Sequence, residues 1–439
     1  MNIWDREYEC MPREELAQLQ LERLQATLNR VYKNVAFYRK KFKEIGFEPE
    51  ELIDLNDLQE LPFTWSKDVS DAYPYDLFAV PLREVVRVHS SSGATDKPVV
   101  VGYTRQDLHH WSELVARILT AAGVTADDVV QITLNYGLVT GGLGIHNGAE
   151  LIGASVLPTS VGRTERQIQI MKDYRTTVLV ATPSYALVIA SRMEEMGIDA
   201  KTINLRYALL AGEPWSEEMR MEIEERLFVK ATDNYGLSEI MGPGVAGECL
   251  CQRGMHLNED HFIAEIVDPQ TGQRLSAGQE GELVLTTLTK EAFPLIRFRT
   301  RDLCSIITEP CDCGRTTVRL SRVRGRCDEV LIIKGVNIIP DRIGDILEEI
   351  QGKRPLYQLL VEREHNLDRL TILVEVSEDM FFDKMREQRA LVEKMKGKIA
   401  GGIGVTPRIV LVEPSTIKRD EETGPGVIDR RPCCHIHQP

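Results

Sequence analysis

Two sets of chemistry-bearing residues crowd into positions 228–339. One is the charged aromatic stretch Asp233-Asn234-Tyr235-Gly236-Leu237-Ser238-Glu239, followed by a basic–acidic segment over 297–302 that ends in Asp302 and by Arg324-Gly325-Arg326-Cys327-Asp328. Carboxylates, a hydroxyl, an aromatic ring and arginines in loops between short strand-like runs are what a ligand site built at strand ends requires. The other set is made of thiols and an imidazole. Cys249 and Cys251 stand one residue apart with His256 five beyond, and Cys311 and Cys313 repeat the one-residue spacing. Two local pairs giving four tetrahedral ligands suit structural zinc. A group of buried thiols without metal is the alternative, and a redox dithiol fits less well because Cys-x-Cys is not the thioredoxin-like spacing.

A further candidate lies upstream. His89-Ser90-Ser91-Ser92-Gly93-Ala94-Thr95-Asp96-Lys97-Pro98 separates apolar runs at 85–88 and 99–101. A hydroxyl-rich glycine turn with a lysine can wrap phosphate oxygens with backbone N–H and hydroxyl donors. It is not a Walker A loop, since the glycine–lysine spacing and the following element differ. On its own, a solvated Ser/Gly turn accounts for it equally well.

These loops need elements to hold them. Apolar positions Leu16, Leu19, Leu24, Leu28, Val31 and Val35 recur at helical spacing over 13–42. Strand-like runs at 129–134, 154–157, 177–180 and 207–211 alternate with helical stretches near 104–122, 166–172, 185–196 and 217–226, the spacing of an α/β domain with helix crossovers. Loops at such strand ends, here 136–137, 182–184 and 211–214, are where these sheets hold ligands. Strands at 261–267 and 281–287 flank a Pro/Gly turn. Beyond 328 the texture changes: strands at 356–362, 370–376 and 407–412 and helices at 343–350 and 382–399 read as a β-α-β-β-α-β-like module, small enough to move as a lid. The expected division is a helical segment over 1–75 and a core over 76–326, together forming a large domain of mixed sheets flanked by helices. A hinge at 327–328 then leads to a small α+β domain over 329–439.

With 53 basic and 67 acidic residues the chain carries a formal charge of -14, which disfavours a dedicated nucleic-acid surface while leaving room for a local basic cleft. No 18-residue apolar run and no signal-like start occur, so a cytoplasmic protein without a membrane span is expected. Nine cysteines, unevenly placed, do not make a secreted disulfide framework, and Cys433-Cys434 reads as a frayed tail.

The ordered motifs resemble those of the phenylacetate–coenzyme A ligases, members of the AMP-forming adenylating superfamily. The resemblance runs through 90–98, 136–144, 153–158, Thr182-Pro183-Ser184-Tyr185, 211–214, 233–244, Glu259-Asp260-His261-Phe262, 286–301 and Ile332-Ile333-Lys334-Gly335-Val336-Asn337. It implies that an aryl-acetate carboxylate attacks the α-phosphate of ATP, and that coenzyme A thiol then displaces AMP from the acyl-adenylate. Such chemistry needs the polyphosphate neutralised, the adenosine held and water kept from the anhydride.

By this resemblance Ser90, Ser91, Ser92, Gly93, Thr95 and Lys97 line the phosphates. Asp233, Asn234, Tyr235 and Gly236 border adenine, with Ser238 at the phosphates and Glu239 near Mg²⁺. Asp302 accepts from the ribose hydroxyls with Arg326 assisting, and Asp328 is the hinge position. Tyr136, Gly137, Gly142, Gly212, Glu213 and Pro214 shape the acyl pocket. Zinc falls to Cys249, His256, Cys311 and Cys313 with Cys251 spare, and a homodimer is implied.

Two departures stand out. Ala94 and Asp96 replace a hydroxyl and a glycine of the usual phosphate loop. The lid lysine that the family offers to the reacting carboxylate falls at Thr423 or Pro425, leaving Lys418 and Arg419 upstream as substitutes. The alternatives are a related adenylating enzyme that activates another carboxylate or transfers AMP to a cofactor, and a nucleotide-binding homologue with weakened catalysis.

Overall fold

The computed structural model describes residues 2–91, 98–328, 330–352, 354–364, 367–376, 385–413, 416–417 and 426–431. They divide between Cys327 and Asp328 into two compact units.

In the larger unit, helix Arg13–Asn34 buries Leu16, Leu24, Leu28 and Val31 along one stripe. The helical segment expected over 13–42 is two helices: Val35 takes an extended conformation (φ -112°, ψ 109°), and a second helix, Ala36–Glu44, buries Tyr38 and Phe42.

The nine-stranded sheet of this unit is mixed. Strands Ser155–Leu157, Val129–Ile132, Val178–Ala181, Tyr207–Ala211 and Lys230–Leu237 lie side by side and parallel. Beyond Lys230–Leu237 the pairing turns antiparallel through Gly242–Glu248, Met255–Leu257, Arg319–Leu320 and Ile306–Ile307. Strand Val178–Ala181 is buried throughout, as a run covered on both faces must be. Its alternation divides the core. Val178 and Val180 join Val130, Ile132 and Leu209 on one face, whereas Leu179 and Ala181 join Ala208, Leu210 and Ala231 on the other.

Capping sets the helix starts. Thr182 accepts from the Tyr185 N–H ahead of Pro183 in helix Pro183–Glu195. Thr104 and Asp107 cap each other reciprocally at the start of helix Arg105–Ala121. A four-stranded antiparallel sheet, ordered Phe262–Val267, Gly281–Thr287, Phe298–Cys304 and Gly325–Arg326, and a two-stranded ribbon, Arg87–Ser90 with Val100–Tyr103, complete the unit.

The smaller unit has its own core. A hairpin, Leu331–Ile333 with Val336–Ile338, precedes helix Pro340–Gln351. A four-stranded sheet follows, ordered Arg408–Val412, Leu367–Glu375, Tyr357–Glu364 and Val427–Asp429, with an antiparallel central pair and parallel outer strands. Helix Met385–Ile403 buries Met395 and Ile399 in that core. The unit is α+β, with the hairpin standing as the leading element of the expected β-α-β-β-α-β order and strand Val427–Asp429 added after it. No helix among the described residues is long and apolar enough to cross a membrane.

Candidate functional site

Strand Lys230–Leu237 is the point at which the large sheet changes from parallel to antiparallel, and its end carries most of the expected nucleotide residues. Asp233 is buried, and its carboxyl is pushed up to about 6 by burial and then by the neighbouring Glu248 charge. Its N–H donates to Glu248 (2.8 Å). Asn234 turns into the sheet: its amide donates to the Thr232 carbonyl at 3.2 Å, and its Oδ1 is buried without a hydrogen-bond partner among the described residues. Gly236 is required by packing, since a Cβ there would sit 2.0 Å from the Gly242 carbonyl oxygen.

Tyr235 leads to Asp302. Its hydroxyl donates to Asp302 Oδ2 at 2.6 Å, and Arg326 Nη1 donates to Asp302 Oδ1 at 3.0 Å. Asp302 and Arg326 face each other because strand Gly325–Arg326 pairs with Phe298–Cys304 in that register. The phenol and the guanidinium together orient the Asp302 carboxylate.

After the strand, Ser238 Oγ lies 2.9 Å from Thr140 Oγ1. Burial raises the Glu239 carboxyl, its own backbone N–H and the Arg326 charge oppose the rise, and Asp302 adds to it. Ser238, Glu239, Asp302, Tyr235 and Arg326 are therefore brought together, with hydroxyl, carboxylate and guanidinium groups in one neighbourhood.

The glycine-rich segment joins them through Thr140. Gly142 allows the chain to double back, since a Cβ would lie 2.6 Å from the Asn135 carbonyl oxygen. The Tyr136 hydroxyl is 3.2 Å from His146 Nδ1, and the Gly137 N–H donates to Asn135 Oδ1. Gly212 adopts φ +84°, which releases Glu213 to accept from the Ser184 N–H (3.1 Å) and hydroxyl (2.9 Å) at the start of helix Pro183–Glu195. Pro214 precedes Trp215, a buried ring with Arg220 and Arg322 at 5.2 and 4.5 Å from its centre.

At the phosphate-loop stem, the Ser90 N–H donates to the Leu138 carbonyl, and Ser91 closes the stem through its N–H and hydroxyl onto Val99. Ser92, Gly93, Thr95 and Lys97 lie outside the described residues, as do Lys418, Arg419, Thr423 and Pro425. Asp328 accepts from the Val330 N–H at 3.3 Å.

The thiol cluster is compact. The ligand atoms of Cys249, His256, Cys311 and Cys313 all lie within 4.8 Å of one another. Cys249 Sγ and Cys311 Sγ are 3.7 Å apart, and Cys313 Sγ is 3.3 Å from His256 Nε2. Sulfurs bound at ~2.3 Å to a tetrahedral zinc would stand about 3.8 Å apart, so the donor set and its spacing fit that ion. His256 Nδ1 meets Thr317 Oγ1 at 3.1 Å, the kind of support that fixes a ligand imidazole. A hydrogen bond from Cys249, then the contact with His256, lowers the Cys313 thiol below its ordinary value.

Spacing alone gave no role to Thr140 or Thr317, and it marked Ser184 only as part of the strand-end loop 182–184. Each is a small hydroxyl that matters through a contact distant in sequence.

Comparison with known proteins agrees with this geometry. The AMP-binding enzyme family matches residues 83–287 and the AMP-binding enzyme C-terminal domain matches 335–431. A phenylacetate–coenzyme A ligase of Thermus thermophilus is 45% identical over 432 residues, covering 95% of this chain and 97% of that protein. One from Escherichia coli is 43% identical over 420 residues, covering 95% of each. A crystal structure of 2-hydroxyisobutyryl-CoA ligase with 2-HIB-AMP and CoA superposes with a TM-score of 0.92 at 28% identity, covering 98% of this chain and 93% of that one. Identity of this extent over nearly the whole length leaves one family assignment: the chain belongs to the phenylacetate–coenzyme A ligase family of AMP-forming adenylating enzymes.

Proposed function

We propose that the protein is an ATP-dependent acid–thiol ligase that joins an arylacetate, phenylacetate or a close analogue, to coenzyme A through an acyl-adenylate. The observation that carries this reading is the Tyr235–Asp302–Arg326 arrangement beside Ser238 and Glu239 in a chain of that family. Asp302, oriented by a phenol and a guanidinium, accepts from the ribose hydroxyls. Ser238 donates to phosphate oxygens, and Glu239 would hold Mg²⁺, which neutralises polyphosphate charge when bound. Lys97 and the hydroxyls of Ser90, Ser91, Ser92 and Thr95 complete the phosphate site, while Tyr136, Gly137, Gly142 and Gly212 shape the acyl wall. The carboxylate attacks the α-phosphorus, pyrophosphate leaves, and the thiol then attacks the acyl carbon as AMP departs. Asp328 is the hinge between the two half-reactions. Cys249, His256, Cys311 and Cys313 would hold a structural zinc.

The test is ATP–pyrophosphate exchange with a panel of acids, followed by addition of coenzyme A. Exchange that depends on an arylacetate, and thioester plus AMP once the thiol is present, are expected. Exchange only with an unrelated acid selects a different substrate. Nucleotide binding without exchange selects the weakened homologue, a reading favoured by the absence of lysine at Thr423 and Pro425.

A further inference from the structure

Lys290 is 1% exposed, and it forms no ion pair among the described residues. Its ammonium lies over the Tyr103 ring, 3.2 Å from the centre, and 3.6 Å from the sulfur of Met241. Asp107 is the charge that favours its protonated form. That carboxylate is already occupied by the N–H groups of Thr104, Glu291 and Ala292, at 2.9, 2.7 and 3.0 Å. A ring face and a thioether recover only part of the hydration an ammonium loses on burial, so this lysine costs the fold stability. Methionine, of similar length and with no charge, would fill the same space without that cost.

What surrounds Lys290 points to the reason for keeping it. The Tyr103 hydroxyl donates to the Met241 carbonyl at 2.9 Å, and its ring stacks on Trp111 at 4.9 Å. Trp111 in turn donates to the Pro243 carbonyl at 2.8 Å. These two rings grip the turn over 238–243, which carries Ser238 and Glu239. Burial, then the charges of Asp107 and Glu239, raise the Tyr103 phenol well above its ordinary value, which places Glu239 in the electrostatic neighbourhood of the same ring. His89 sits edge-on to both rings and meets the Leu138 carbonyl at 2.9 Å, linking the stem at Ser90 to the cluster.

We propose that Lys290 is a positioning residue for adenylation, a buried positive charge behind the Ser238–Glu239 turn that serves the reaction at the expense of the fold. The inference rests on the adenylating function proposed above and assigns a role to a side chain that touches neither nucleotide nor acid. Burial lowers the ammonium to about 7 from an ordinary 10.5. The folded chain therefore holds fewer protons than the unfolded chain between those values, and stability rises with pH across that window.

The experiment is Lys290→Met in the full-length protein, read three ways. Its melting temperature should exceed that of the wild type below pH about 7, and the difference should fade toward pH 10.5. Below pH about 7, where the ammonium is charged, pyrophosphate exchange should fall by roughly ten- to a hundredfold, the scale of one nearby charge in a medium of intermediate dielectric. Turnover of supplied acyl-adenylate with coenzyme A should stay near the wild-type rate. A Lys290→Met protein that melts lower or does not fold would make the lysine a structural brace and overturn the proposal, as would unchanged exchange. A wild-type protein that binds ATP but exchanges with no acid overturns the functional reading itself, and this proposal with it.

Discussion

Asp302 offers the most discriminating test of the nucleotide site. Its side chain is only 5% exposed and is fixed by the Tyr235 phenol at 2.6 Å and by Arg326 at 3.0 Å, so its acceptor geometry exists before any ligand arrives. Two ribose hydroxyls donating to a charged acceptor of this kind are worth about 1.5 kcal/mol each, or about 3 kcal/mol together. Asp302→Ala should therefore weaken ATP binding by about a hundredfold. The same variant also removes a partner of Arg326 and of the Tyr235 hydroxyl, so a loss of affinity alone does not isolate the ribose contacts. Calorimetric titration with ATP and with 2′,3′-dideoxy-ATP does. The wild type should prefer ATP by close to the full 3 kcal/mol, and in Asp302→Ala that preference should collapse to within about 0.5 kcal/mol. Tyr235→Phe, which removes only the orienting phenol, should retain most of it. Undiminished preference for the ribose hydroxyls in Asp302→Ala would refute the assignment.

Protein purified without added metal should contain about one equivalent of zinc. Cys311→Ser should lower the melting temperature more than Cys251→Ser because only the first removes a ligand, and equal effects would exclude the four-ligand site. Gly236→Ala should destabilise the protein by about 2–4 kcal/mol in denaturant titration, since its Cβ would meet a backbone oxygen at 2.0 Å that cannot yield cheaply; a neutral effect would mean the strand end is mobile. Asp233 is raised from 3.8 to about 6, so the folded state binds the extra proton and stability should fall as pH rises across that interval. Asp233→Asn should flatten the fall, and an unchanged pH profile would show that Asp233 is not its source.

Motif order carried much of the site, because loops at strand ends concentrate polar residues that nothing in a core would retain. What sequence could not supply was direction. Asp233 and Asn234 are consecutive in strand Lys230–Leu237 and both are buried, so a period of two carries no information about which points toward a ligand. Asn234 turned inward. The break at Val35 escaped detection because the apolar stripe continues across it from Val31 to Tyr38 and Phe42. Strands Ile306–Ile307, Arg319–Leu320 and Gly325–Arg326 have two residues each, too few for any periodicity, yet the last of them places Arg326 opposite Asp302.

Those short strands bear on where the thiol cluster lies. Arg319–Leu320 pairs with Met255–Leu257 so that Arg319 stands opposite His256, and it also pairs with Ile306–Ile307. Ladders of two residues bury little surface and are weak supports on their own. Cys249 and His256 bracket the connection from Gly242–Glu248 into Met255–Leu257, while Cys311 and Cys313 lie in the segment between Ile306–Ile307 and Arg319–Leu320. A metal binding all four would cross-link the two flanks of this thin edge. The chain leaving that edge runs directly into Gly325–Arg326, whose register sets the Arg326–Asp302 contact. On this reading the cluster also bears on the proposed nucleotide site, because it fixes the segment from which Asp302 receives its guanidinium.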